Sequence, residues 1–67
     1  MTKWERIFRS HHPNAVAEKQ RSNRRPPVYY LIRREYGAFM WDGKGATKAQ
    51  AWKDACAKMG LAEEKTP

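Results

Sequence analysis

Arginine is concentrated in the first half of this 67-residue chain. Residues 1–34 carry nine Lys or Arg and two acidic residues, a net charge of +7, and seven of those nine cations are Arg. Residues 35–67 carry five residues of each sign and are neutral. The flat guanidinium group offers a forked set of donors that matches phosphate oxygens. Because solubility does not require such segregation of charge, we expect the basic half to bind phosphate groups.

Eight side chains are candidates for contact with a nucleic acid. Residues 21–27, RSNRRPP, form a basic connector without core-forming residues, which could lie along a phosphate backbone. Tyr29 and Arg33 alternate along a predicted strand, and an exposed aromatic ring beside arginine suits base stacking and phosphate binding. Two lysines flank the start of a predicted helix, where backbone N–H groups favour anions. The full set is Arg21, Arg24, Arg25, Tyr29, Arg33, Arg34, Lys44 and Lys48.

The basic connector and Tyr29 could instead have purely structural roles. The basic connector could be a solvated linker, although three arginines in five residues exceed what a linker needs. Tyr29 could cover a second small core formed with Trp4 and Phe8, since aromatic side chains are often buried.

Catalytic and metal-binding patterns are weak. His11 and His12 are adjacent, so their side chains point apart on a regular element, and no Asp, Glu or Cys cluster accompanies them. The sequence has no Walker-type phosphate loop, no Ser-His-Asp order and no paired carboxylates with a nearby base. We therefore predict a protein that is not an enzyme, with no cofactor and no metal site.

The single cysteine, Cys56, cannot form an intrachain disulfide and fits a reducing, cytoplasmic setting. No apolar run is long enough to span a bilayer, and the first ten residues lack the apolar core of a signal peptide. The sequence therefore predicts a cytoplasmic protein without a membrane partner.

The clearest element is a helix predicted at residues 48–59. Thr47 is a good N-cap, and Gln50, three residues later, completes a capping box. Apolar residues then recur at helical spacing, namely Ala49, Trp52, Cys56 and Met59, with Ala51 and Ala55 widening the stripe. Gly60 can adopt the left-handed conformation that ends a helix.

Two strands are predicted before this helix. Residues 28–34 are rich in β-branched and aromatic residues and follow a pair of prolines. Residues 38–42 form the returning strand after a two-residue turn at Tyr36 and Gly37. One face of this hairpin should pack on the helix because two strands alone are barely stable, and that face carries Tyr30, Ile32, Phe39 and Trp41.

The remaining segments belong to a basic N-terminal region. Residues 2–9 could form a short helix, with Thr2 and Glu5 as a capping box, or an edge strand. A weakly apolar helix is predicted at 15–21. We therefore expect one small α+β domain over residues 1–67: a basic arm at 1–27, a hairpin-plus-helix core at 28–61 and a tail at 62–67.

The C-terminal half carries the pattern G-x-G-x-[ST]-K-x-x-A-x-x-x-A-[AC], which is matched by Gly43, Gly45, Thr47, Lys48, Ala51, Ala55 and Cys56. This stretch, through Leu61, resembles the C-terminal part of double-stranded-RNA-binding domains. The resemblance implies a helix that begins after a Gly-rich loop and a first-turn lysine that contacts phosphates. That family has lysines where this chain has Ala49 and Trp52, so only Lys48 carries over. It also has three strands, whereas the sequence predicts two here.

The T-x-x-x-A-x-x-x-A helix after a hairpin also resembles DNA-binding domains of the AP2 and integrase N-terminal type. Together these observations predict non-catalytic binding of duplex RNA or DNA, with RNA slightly favoured, by a monomer or a homodimer paired through an open sheet edge. A small basic, Trp-rich chain also resembles accessory proteins of bacteriophages. That resemblance implies docking on an acidic surface of a larger host protein.

Overall fold

Residues 2–65, as described by a computed structural model, form a three-stranded antiparallel sheet and two helices. In chain order the elements are α1 (Lys3–His11), β1 (Val16–Arg21), β2 (Val28–Arg33), β3 (Gly43–Gly45) and α2 (Lys48–Met59). β2 is the central strand, α2 packs on the sheet, and α1 packs against α2. The predicted α+β fold is confirmed. Neither helix within the described range has the length and apolar character needed to cross a bilayer.

α2 begins and ends where its caps predict. The Gln50 N–H donates to Thr47 Oγ1 at 3.1 Å, which satisfies one of the free donors at the helix start. Gly60 ends the helix with a φ of 71°, and the Leu61 N–H donates to the Cys56 carbonyl at 2.8 Å. The buried face consists of Ala51, Trp52, Ala55 and Cys56, which is the predicted apolar stripe without its first residue, the exposed Ala49, and its last, the half-buried Met59.

The N-terminal segment is a helix, which resolves the choice between helix and strand. The Glu5 N–H donates to Thr2 Oγ1 at 3.1 Å, as the capping box predicts. Ile7 and Phe8 are buried among the side chains of α2 and the sheet. α1 therefore belongs to the core instead of forming part of a separate basic arm.

Residues 16–21 form an edge strand, so the helix predicted at 15–21 is wrong. Every residue of β1 pairs with β2, from Val16 opposite Arg33 to Arg21 opposite Val28. The segment has too few large apolar residues to define a helical face, and the backbone hydrogen bonds offered by β2 decide its conformation. The sheet consequently has three strands, one more than the sequence predicts.

The returning strand is also displaced. β3 lies at Gly43–Gly45, with Gly43 opposite Ile32 and Gly45 opposite Tyr30, so the strand predicted at 38–42 is wrong. The sequence favoured 38–42 because aromatic residues are common in strands and glycines are not.

The approach of α2 explains why glycines form β3. A Cβ atom on Gly43 would lie 2.5 Å from the Cβ atom of Ala55, and one on Gly45 would lie 2.5 Å from the backbone nitrogen of Ala51. Real Cβ atoms are essentially never that close to other atoms. Only glycine therefore lets the helix backbone lie this close to the strand.

The predicted turn is present, but the residues after it do not pair with β2. The Ala38 N–H donates to the Glu35 carbonyl at 3.2 Å, and Gly37 between them has a φ of 83°. Phe39 and Trp41 were predicted to pack on the apolar stripe of α2, and this is wrong, since neither side chain belongs to the core. Their exposed fractions are 92% and 42%.

The two connections of the sheet lie at its opposite ends. The β1–β2 connection, residues 22–27, joins the end of β1 to the start of β2. β3 runs back towards the start of β2, so α2 begins at the same end of the sheet as residues 22–27. The β2–β3 connection, residues 34–42, lies at the other end.

Asp54 ties β3 to α2. Its carboxylate accepts the Lys44 backbone N–H at 2.9 Å and pairs with Lys58 Nζ at 2.8 Å. The hydrogen bond from Lys58 is the main reason why the pKa of Asp54 is lowered, and the Lys44 N–H adds to it while partial burial opposes it. Because the folded-state pKa is below the unfolded value, Asp54 stabilises the protein above about pH 4, and this contribution is lost as pH falls through the folded-state pKa.

We therefore expect Asp54→Asn to be less stable than the wild type by about 1 kcal/mol at neutral pH, because a charged acceptor is lost. The difference in the free energy of unfolding should shrink as the pH falls below about 4 and through the folded-state pKa of Asp54, because the wild-type carboxyl group then becomes protonated. Urea denaturation at a series of pH values measures this, with Glu35→Gln as an exposed control. A difference independent of pH would contradict the assigned role.

Candidate nucleic-acid interface

Four of the eight predicted contact residues lie at the end of the sheet that carries the β1–β2 connection, and a fifth, Lys44, lies opposite Leu31 and reaches towards that end over the Tyr29 ring. They come from the end of β1, the connection itself, β3 and the first turn of α2. We call this group the basic end, and it consists of Arg21, Arg24, Arg25, Lys44 and Lys48. Four separate segments of the chain therefore place positive charge in one region.

The arginines of the basic end are exposed. The Ser22 N–H donates to the Pro27 carbonyl at 2.8 Å and closes the connection, and the Arg24 N–H donates to Ser22 Oγ at 3.0 Å. Arg21, Arg24 and Arg25 are all exposed, and within residues 2–65 none of them forms an ion pair. Their guanidinium N–H groups are therefore free of acidic partners within the described residues and can bind an external anion.

The two lysines of the basic end lie over tyrosine rings. Lys44 Nζ is 4.6 Å from the centroid of the Tyr29 ring, and Lys48 Nζ is 5.9 Å from that of the Tyr30 ring. In such contacts the hydrocarbon chain of the lysine packs on the ring, and the ammonium group keeps its positive charge. Both lysines remain exposed, so their ammonium groups can still contact phosphate groups.

Tyr29 and Tyr30 are on opposite faces of the sheet because neighbouring residues of a strand alternate. Tyr30 contacts the core, so its neighbour Tyr29 faces away from the helices. Tyr29 therefore does not cover a second core with Trp4 and Phe8, which pack on the helical side. The basic end consequently has an aromatic ring on each face.

Arg33 and Arg34 lie at the other end of the sheet, away from the basic end. Arg33 Nε pairs with Glu18 at 2.8 Å, and Arg33 Nη1 donates to the carbonyls of Ala38 and Phe39 at 2.8 and 3.1 Å. Arg34 Nε pairs with an Asp42 oxygen at 3.3 Å. The structure therefore does not bring these two predicted contact residues together with the other six.

The acidic side chains neutralise cations outside the basic end. Five ion pairs are present within the described part of the chain, and none includes a residue of the basic end: Arg6–Glu64, Arg9–Glu5, Arg33–Glu18, Arg34–Asp42 and Lys58–Asp54. Of the nine Lys and Arg side chains without an ion pair among residues 2–65, five belong to the basic end, and the other four are Lys3, Lys19, Lys53 and Lys65.

The histidines belong to the end of α1. His11 Nε2 is 3.0 Å from the Glu63 carbonyl oxygen, and the His12 ring lies 5.1 Å from the Phe8 ring. Burial, and then the nearby charge of Arg34, lower the pKa of His12, so its neutral form is favoured and its contribution to stability is lost as the solution becomes more acidic. Among residues 2–65, no group of three or more His, Cys, Asp or Glu side chains could hold a metal ion.

No family model, no curated protein and no solved structure matches this chain. Geometry, charge and the pattern of residues are therefore what indicate a function for this chain.

Proposed function

We propose that this chain is a non-catalytic, cytoplasmic nucleic-acid-binding protein that holds a duplex through its phosphates. The observation that carries the proposal is the basic end, where five exposed cations from four segments take part in none of the five ion pairs of the described residues. Contacts of this kind fix a protein on a duplex by shape and charge without reading its sequence.

Two features favour RNA over DNA. The three-stranded sheet brings the strand count to that implied by the resemblance to double-stranded-RNA-binding domains, and Lys48 is the first residue of α2, as that resemblance requires. The basic residues also wrap around the end of the sheet, since Lys44 reaches over Tyr29 on one face and Lys48 over Tyr30 on the other. Domains of that family bind RNA helices by spanning adjacent grooves and their phosphates.

A salt titration tests the proposal. Labelled duplex RNA, duplex DNA and single-stranded RNA are titrated with the protein at a series of salt concentrations. If the five cations each neutralise one phosphate, the slope of log Kd against log salt should be about 4.5 on B-DNA, and Kd should rise several-hundred-fold for a fourfold increase in salt. Duplex RNA should bind most tightly. Absence of micromolar binding to any of the three at low salt would overturn the proposal.

We expect Arg24→Ala/Arg25→Ala to weaken binding by about tenfold to a hundredfold, because two charge-assisted contacts are lost. The salt slope should fall by about 2 at the same time. The fold should be unaffected, because both side chains are exposed and outside the strands.

Lys3→Ala/Lys65→Ala is the matched control, since it removes the same charge from two exposed residues far from the β1–β2 connection in sequence. It should leave binding within about threefold of the wild type. Equal losses in the two double variants would mean that net charge acts without a defined interface.

The second candidate function is that of a small phage-type adaptor or inhibitor that docks on an acidic surface of a larger host protein. The same five cations favour it, because uncompensated positive charge also steers a chain to acidic protein surfaces. The salt titration separates the two functions, since this candidate predicts no tight binding to any nucleic acid.

A further inference from the structure

Four large apolar side chains are exposed in the β2–β3 connection, at the end of the sheet opposite the basic end. We call this group the aromatic loop, and it consists of Tyr36, Phe39, Met40 and Trp41, with exposed fractions of 87%, 92%, 69% and 42%. Their clustering within six residues distinguishes them from the single exposed apolar residues of ordinary surfaces. Exposed apolar clusters of this kind usually mark a binding surface.

The loop is held in place by the protein's own polar groups. Arg33 Nη1 donates to the carbonyls of Ala38 and Phe39, and the Arg34–Asp42 ion pair joins the two ends of the connection. Lys58 Nζ lies 4.9 Å from the Trp41 ring centroid, a cation–π contact between this ring and the last turn of α2. The backbone of the loop is therefore anchored, while Tyr36, Phe39 and Met40 are largely exposed and Trp41 is partly covered.

Most charges around the aromatic loop are paired, and within residues 34–42 the exception is the exposed Glu35, whose negative charge argues against a polyanionic partner. Arg33, Arg34 and Lys58 each have an acidic partner, namely Glu18, Asp42 and Asp54. A nucleic acid or an anionic lipid surface would require free cations beside the rings. A largely apolar surface instead suits a second copy of the same surface, since Glu35 is the one charge without an ion pair that each loop brings to the contact.

We propose that two copies of this chain associate through their aromatic loops. A two-fold arrangement would place each loop against the other and direct the two basic ends away from each other. The strongly charged regions of the two +7 chains would then be far apart, so their repulsion would be small.

The available area predicts a weak dimer. Aromatic side chains bury roughly 150–250 Å² each, so the loop can contribute about 500–600 Å² per copy. A dimer would therefore bury about 1,000–1,200 Å², at the lower limit of specific interfaces. We expect a dissociation constant of about 10–100 µM.

Sedimentation velocity on the full chain tests this proposal, over about 5–500 µM protein in about 0.5 M salt, which suppresses charge-mediated contacts. The wild type should move from monomer towards dimer across this range. Phe39→Ser/Met40→Ser should remain monomeric throughout. Ala46→Ser/Ala49→Ser, which changes two exposed residues near the start of α2, should behave as the wild type. Circular dichroism at low concentration should show the same fold for all three proteins.

Several outcomes would overturn the proposal. One is a wild type that stays monomeric to 500 µM, and another is a dimer that Phe39→Ser/Met40→Ser leaves intact. Binding of the monomeric wild type to vesicles with about 30% phosphatidylserine, lost in that variant, would assign the aromatic loop to lipid instead. The same result with single-stranded RNA would assign it to stacking on bases.

Discussion

Trp52→Ala is expected to reduce the free energy of unfolding by about 3–5 kcal/mol, the usual cost of removing a large buried aromatic side chain. Trp52 is 1% exposed, and its ring centroid lies 5.6 Å from that of Phe8, so it joins α2 to α1. The guanidinium carbon of Arg9 also lies 5.4 Å from the centroid of this ring. A domain of this length has only a small core, so the variant should be largely unfolded at about 37 °C.

Thermal unfolding followed by circular dichroism measures this loss. Tyr36→Ala is the matched control, because it truncates an aromatic side chain that is exposed, and it should change stability by less than about 0.5 kcal/mol. Equal stability of the two variants would show that the core does not centre on Trp52.

Gly43→Val is expected to destabilise the protein by about 3 kcal/mol or more, because it overpacks a site that cannot expand. Its Cβ atom would lie 2.5 Å from the Cβ and backbone nitrogen of Ala55, so β3 and α2 would have to separate. Separation would also break the hydrogen bond from the Lys44 N–H to Asp54. The close packing of β3 on α2 and the hydrogen bond from Lys44 to Asp54 would therefore be lost together.

The control for this variant is Ala46→Val, which adds a branched side chain at an exposed position next to β3. It should leave the urea midpoint nearly unchanged. A Gly43→Val protein as stable as the wild type would contradict the close contact between β3 and α2.

The elements predicted correctly from the sequence are those with local signals. α2 has an N-cap, a capping box, a helical stripe and a C-terminal glycine within fourteen residues, and it forms at the predicted residues 48–59. α1 also begins at an N-cap, Thr2, whose Oγ1 accepts the Glu5 N–H, but so short a segment could not decide between helix and strand at residues 2–9. Such signals act over a few residues and need no knowledge of the rest of the chain.

The strands were harder to predict because distant contacts decide them. β1 has a weak pattern and is fixed by pairing with β2 across the connection at 22–27. β3 lies at two glycines because α2 approaches the sheet there, and local propensity pointed instead to residues 38–42. Neither the pairing nor the approach is visible in a short window of sequence.

The residues of the candidate interface also divide into those with a local signal in the sequence and those whose role depends on distant contacts. Arg24 and Arg25 were identified from composition, since a basic, Pro-closed connector is readable without a structure. Arg33 was selected because it alternates with Tyr29, but its ion pair with Glu18 becomes apparent only when β1 is recognised as the neighbouring strand. The exposure of Phe39 was missed because it was assigned to a strand that covers the core.

The central claim is that the basic end is the surface that binds a nucleic acid. A titration of the 15N-labelled protein with a short RNA duplex, followed through backbone amide chemical shifts, tests it most directly. We predict that the largest shifts occur at residues 21–25 and 44–48, with little change at 34–42. Shifts confined to residues 34–42, or no shifts at a protein concentration of about 100 µM, would contradict the claim.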